Sequence, residues 1–168
     1  MEKKKPPRGA DPSALVVTRV FGAPPETVFS LWSDPEHVKT WWHPRDFTTP
    51  VFEMDFRVGG RYRYCIRSQG KDHWAHGTYR EIEPPTRLVF TFQWDSGDPD
   101  HDAETLVTIT FEPQGTRTLL TFRQEPFSSA GERDSHARGW SEVLDALGEF
   151  LANEGVANEG VANEGADR

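Results

Sequence analysis

Two histidines, His43 and His76, are the residues best placed in this sequence to move a proton. His43 directly follows the Trp41-Trp42 pair, and His76 lies two residues past Trp74. An imidazole titrates near neutral pH, so beside a cavity it serves as general acid or base. The other chemistry-bearing groups have blander readings. Glu53 and Asp55 would share one strand face, but next to Arg57 such a pair more often forms a solvated ion-pair ladder than a catalytic dyad. Cys65 stands among Arg61, Arg63 and Arg67, a setting that lowers a thiol's pKa. No histidine adjoins it, and a structural thiol is the expectation. His73 and His76 fall on opposite faces of a strand, which spoils them as a metal pair. Asp95, Asp98, Asp100, Asp102 and Glu104 look calcium-like but break the spacing and glycine position of an EF-hand loop. No nucleophile–base signature and no glycine-rich phosphate loop is present. Neither a metal nor a cofactor is expected, and any catalysis would fall to His43 and His76.

The sequence is rich in aromatic surface. It holds 6 Trp, 11 Phe and 3 Tyr, more than a packed core of this size ordinarily uses. Tyr62, Tyr64 and Ile66 alternate with Arg61, Arg63, Cys65 and Arg67, the latter set reading as an outer face. Leu88, Phe90, Phe92 and Trp94 alternate with Val89, Thr91 and Gln93. Between Trp74, His76, Thr78 and the opposing His73, Ala75, Tyr79, the pattern leaves open which set faces inward. These rings either fill a core or fill it partly and leave a pocket.

Their positions follow from the elements that carry them. Ala14–Phe21 alternates as a first strand. Two short helices follow, one opened by Pro24-Pro25 and one capped by Asp34 ahead of Pro35. Six strand-like runs come next, at 49–57, 61–68, 73–82, 87–94, 106–112 and 116–124, with turn residues at each junction, as in an antiparallel meander. The period then changes. Trp140, Val143, Leu144, Leu147, Phe150 and Leu151 mark the apolar stripe of a long helix, with Ser129 and Glu132 as a capping box and Gly139 expected to let the helix approach the sheet. Such a stripe needs a curved sheet to bury it. Residues 1–13 read as a disordered lead, 14–153 as one domain, and 154–168, with its Val-Ala-Asn-Glu-Gly copies, as a low-complexity tail.

Composition excludes some partners. The net charge of −8 and a pI near 5.2 argue against nucleic acid and against an anionic membrane surface. No apolar run approaches a membrane span and no apolar segment follows the leading lysines, so membrane insertion and secretion are not expected. A single cysteine fits a reducing cytoplasm.

The order strand, helix pair, six strands and long helix is that of an α+β helix-grip fold. Several segments make the likeness more specific: 23–29 (APPETVF), 34–37 (DPEH), Trp41-Trp42, 53–60 (EMDFRVGG), 77–82 (GTYREI), 84–91 (PPTRLVFT) and Gly139-Trp140. On these residues the chain resembles the homologues of the activator of the 90-kilodalton heat-shock chaperone's ATPase, within the START-like (SRPBCC) superfamily. His43 stands where that family commonly has glycine. The resemblance implies a sheet wrapped on the long helix, about a cavity suited to a small hydrophobic or aromatic molecule. Trp41, Trp42, Tyr64, Phe90, Phe92, Trp140 and Leu144 would form its walls, with His43 and His76 as polar orienting groups. It also leaves two rivals open: a co-chaperone module that binds a chaperone protein through its surface, and a cyclase- or dehydratase-like enzyme. The oligomeric state is not legible.

Overall fold

The sequence's alternation of apolar and polar residues is realised as one seven-stranded sheet. In the computed structural model, residues 13–166 are described, with side chains described to Asn153. The expected lead and tail therefore fall, but for Ser13 and the backbone of 154–166, outside the described residues. The strands are β1 (Leu15–Phe21), β2 (Thr48–Met54), β3 (Arg61–Ser68), β4 (Lys71–Glu83), β5 (Arg87–Trp94), β6 (Thr105–Gln114) and β7 (Arg117–Glu125). They lie in the order β1-β7-β6-β5-β4-β3-β2, antiparallel throughout, so the meander from β2 to β7 is joined by β1 at its far edge. The helices are α1 (Pro25–Ser30), α2 (Pro35–Trp41) and α3 (Ala130–Ala166). This is the α+β helix-grip arrangement.

Local chemistry accounts for the joints. Asp34 caps α2 by accepting from the Glu36 amide at 2.9 Å. Only half of the expected capping box forms at α3: Ser129 Oγ accepts from the Glu132 amide at 3.1 Å, while the Glu132 carboxylate turns to His101. Gly77 is dictated by contact. A Cβ there would sit 1.9 Å from the Thr91 carbonyl oxygen and 2.5 Å from the Tyr62 ring, which lies across it and donates its O–H to that carbonyl at 2.6 Å.

The concave face of the sheet and the stripe of α3 bury the core. Trp140, Val143, Leu144, Leu147 and Leu151 are all buried against it. A polar chain ties helix to sheet within that core. The Trp140 indole N–H donates to Gln124 Oε1 at 2.6 Å, Gln124 Nε2 donates to Thr105 Oγ1 at 2.8 Å, and Thr105 donates to the Phe92 carbonyl at 3.0 Å. The Trp140, Gln124 and Thr105 side chains are thereby each paired, as buried polar groups require.

Gly139 departs from expectation. A Cβ at that position would meet nothing within 4 Å, so no close approach to the sheet needs a glycine there. It faces open space instead.

Candidate functional site

Trp42 sits at the hub of the aromatic cluster. Its ring lies 5.1 to 6.4 Å, centroid to centroid, from those of Phe52, Tyr62, Tyr64, Phe90, Trp140 and Trp32. These rings close one half of the interior almost completely. What remains beneath Trp42, among Trp32, Val38, Tyr79, Leu88 and Phe90, is a void of about 10 Å³, room for about one water.

The other half stays open. A cleft of about 450 Å³ lies between the first turns of α3, the α2–β2 connection, the β3–β4 hairpin and the β5–β6 loop. Trp42, Tyr64, Ile66, Trp94 and Trp140 form its apolar wall, and Gly139 leaves a gap in the helix side of it. His73, His101, His136, Arg138 and Glu142 supply the polar groups. The size is that of an ordinary small-molecule site.

Of the residues expected from sequence, Trp42, Tyr64 and Trp140 come together on this wall. Phe92 stands one layer behind, its ring 5.5 Å from Trp140 and 5.2 Å from Trp94. Phe90 belongs to the filled half, and Leu144 is fully buried under α3. Trp41 is a core residue whose indole N–H donates to the Leu31 carbonyl at 3.2 Å, pinning α2 to the end of α1. His43 lies outside the cleft wall, its ring nitrogens 3.1 and 3.2 Å from the Pro44 and Thr40 carbonyl oxygens. His76 is on the other face of the sheet. It pairs there with Asp95 at 2.8 Å, near Arg61, Arg63 and Gln93. The inward set on β4 is His73, Ala75 and Tyr79; the outward set holds Trp74, over which the Arg63 guanidinium lies at 3.9 Å. Cys65 is on that outward side yet fully buried, and burial pushes its thiol up rather than down.

Three groups at the cleft went unnoticed as a set: Trp94, His101 and His136. The His101 ring stacks on Trp94 at 5.7 Å, and the Trp94 indole N–H donates to His136 Nε2 at 2.9 Å. An indole can only donate, so Nε2 is the bare nitrogen and the proton resides on Nδ1, which donates to the Glu132 carbonyl at 2.9 Å. Burial holds the His136 pKa below the ordinary histidine value, with the Glu132 carbonyl and carboxylate opposing. His101 lies 3.3 Å from both Glu132 carboxylate oxygens. With both nitrogens of His136 engaged, His73 and His101 are the other imidazoles lining the cleft, while His43 and His76 do not line it. Among the described residues no cluster of histidine, cysteine and acidic side chains is arranged to hold a metal ion. Among the described residues no helix is long and apolar enough to cross a membrane.

The family model for Activator of Hsp90 ATPase homolog 1-like protein matches residues 22–152. The chain belongs to this family. Solved structures agree with the assignment. A protein from Chromobacterium violaceum is 29% identical with a TM-score of 0.77, the match covering 84% of this chain and 98% of that one. The AHSA1 protein from Silicibacter pomeroyi is 26% identical with a TM-score of 0.73, over 84% and 99% of the two chains. A protein from Nitrosomonas europaea shares the fold at 22% identity, with a TM-score of 0.72 over 86% and 97%. No protein of curated function matches the sequence. Family membership fixes the scaffold, and activity has to be argued from the site.

Proposed function

We propose that this AHSA1-family domain binds a small hydrophobic or aromatic molecule in the cleft between α3 and the sheet. The observation that carries this reading is the unfilled half of the interior. Trp42, Tyr64, Trp94 and Trp140 line about 450 Å³ of open space, while identical ring types pack the neighbouring half to closure. An apolar cleft left open where the chain had aromatic side chains to spare suits a ligand's rings better than water. Gly139 supports the same reading, because a glycine inside a helix costs roughly 1 kcal/mol against alanine and here relieves no clash. Its effect is to keep the cleft wide.

A second reading comes from the family itself, whose description names an activator of the Hsp90 ATPase. A co-chaperone would engage its partner through exposed surface, for which the charged outer face of the sheet around Arg61, Arg63 and Glu104 is the candidate. That reading has no use for an open cleft. Native mass spectrometry of freshly purified protein separates the two. A co-purified small molecule, lost when Trp140 is replaced, supports the ligand reading. A clean apo mass together with binding of purified chaperone supports the other.

A further inference from the structure

Tyr62 and Tyr64 point the same way from β3, with rings near parallel at 10° and centroids 6.4 Å apart. Their hydroxyls have opposite fates. Tyr62 donates its proton to the Thr91 carbonyl at 2.6 Å. Tyr64, only 2% exposed, has the Trp42 ring beside it at 5.6 Å, and its hydroxyl lies on the cleft. An indole N–H only donates, so the Trp42 side chain beside it offers no acceptor for the phenolic proton. Among the described residues no acceptor takes that proton. Tyr64 and Trp42 both form the wall of the cleft.

We propose that the Tyr64 hydroxyl is the hydrogen-bond donor that selects the ligand, and that the ligand is an aromatic molecule carrying a neutral carbonyl oxygen at its inner end. The proposal rests on the cleft being a ligand site, as argued above. The hydroxyl opens on the cleft with no protein acceptor, so a ligand oxygen placed there gains a hydrogen bond in surroundings poorer in water than the surface. The surroundings of the phenol are rings: Phe52 stacked at 5.4 Å, Phe92 at 6.3 Å and Trp94 at 6.5 Å. A carboxylate placed among them would lose its hydration without gaining a counter-charge, whereas a ketone loses far less. The cation on the cleft, Arg138, lies on the exposed side of α3 and would face the outer end of a ligand. Burial also drives the Tyr64 pKa far above neutral, with the Trp42 contact opposing, so the phenol remains a donor at any working pH. Tyr64 is a specificity-determining residue in this scheme.

The test uses three compounds on one ring skeleton: fluorene, 9-fluorenone and fluorene-9-carboxylate. Titration of the full-length protein should show fluorenone binding roughly 3–10-fold more tightly than fluorene, the span of one net hydrogen bond. The carboxylate should bind more weakly than the ketone. Tyr64→Phe should erase the preference for fluorenone and leave fluorene affinity within about twofold, since only the hydroxyl is lost. The infrared carbonyl stretch of bound fluorenone should move to lower wavenumber in the wild type and return in the variant. Should the variant not fold, the wild-type band decides alone: a shift from its position in apolar solvent supports the proposal, and no shift overturns it. Equal affinities for fluorene and fluorenone, a tighter carboxylate, or a preference that survives Tyr64→Phe would each overturn it while leaving the ligand site standing. Failure of all three compounds to bind would remove the ligand-site reading and this proposal with it.

Discussion

The Trp94 indole N–H meets His136 Nε2 at 2.9 Å, joining the end of β5 to the second turn of α3. One contact thus fixes the neutral tautomer of a buried imidazole and the orientation of a ring on the cleft wall. Protonating His136 would set an N–H against an N–H and break it.

That relationship gives a pH dependence. The folded pKa of His136 is depressed by burial below its unfolded value of 6.5, so the unfolded chain takes up its proton first. The contribution is fully present above pH 6.5 and is lost as pH falls through the lower, folded value. Stability measured by urea unfolding should decline as pH drops from 6.5 toward the folded value and level off beneath it, and His136→Gln should flatten this part of the profile. Trp94 fluorescence in the folded protein should change over the same range. A profile identical in the variant would show that another group titrates there.

Trp140 anchors α3 through the buried chain to Gln124 and through its ring, 4.7 Å from Phe122. Trp140→Ala should cost roughly 3–5 kcal/mol in chemical unfolding, the usual loss for a large buried aromatic. A loss below about 1 kcal/mol would mean that the helix is held elsewhere.

Two glycines should respond in opposite senses. Gly77→Ala forces a Cβ into the Thr91 carbonyl and the Tyr62 ring, and should destabilise by roughly 1–3 kcal/mol or more, as overpacking does. Gly139→Ala meets nothing and should stabilise by up to about 1 kcal/mol through helix propensity. Thermal unfolding of both variants reads the signs directly. A destabilised Gly139→Ala would show that the helix is closer to its neighbours than the structure has it.

Much of this fold was written in local pattern. The Asp34-Pro35 cap, the alternation on β3 and the stripe from Trp140 to Leu151 each depend on neighbours in sequence, and each is found as read. The cleft was less legible, because it depends on register between elements. The inward parity of β3 was plain from Tyr62, Tyr64 and Ile66. A two-residue turn at Gln69-Gly70, both with positive φ, pairs Ile66 with His73, which carries that parity to β4 and turns His76 outward. That turn alone fixes the face of His73. His136 lies four residues before Trp140 on the same helical stripe, and its polarity hid the continuation. Which rings fill and which line is a matter of volume between α3 and the sheet, and no spacing rule reports it.

The most direct measurement follows amide and indole resonances while naphthalene, an apolar probe small enough for the cleft, is titrated in. Resonances of Trp42, Tyr64, Trp94, Gly139 and Trp140, far apart in sequence, should shift together with one affinity of roughly micromolar to millimolar strength. Gly139→Phe, which places a ring in the gap, should abolish the shifts while the protein stays folded. No concerted shift in the wild type, or an undiminished one in Gly139→Phe, would contradict a ligand site between α3 and the sheet.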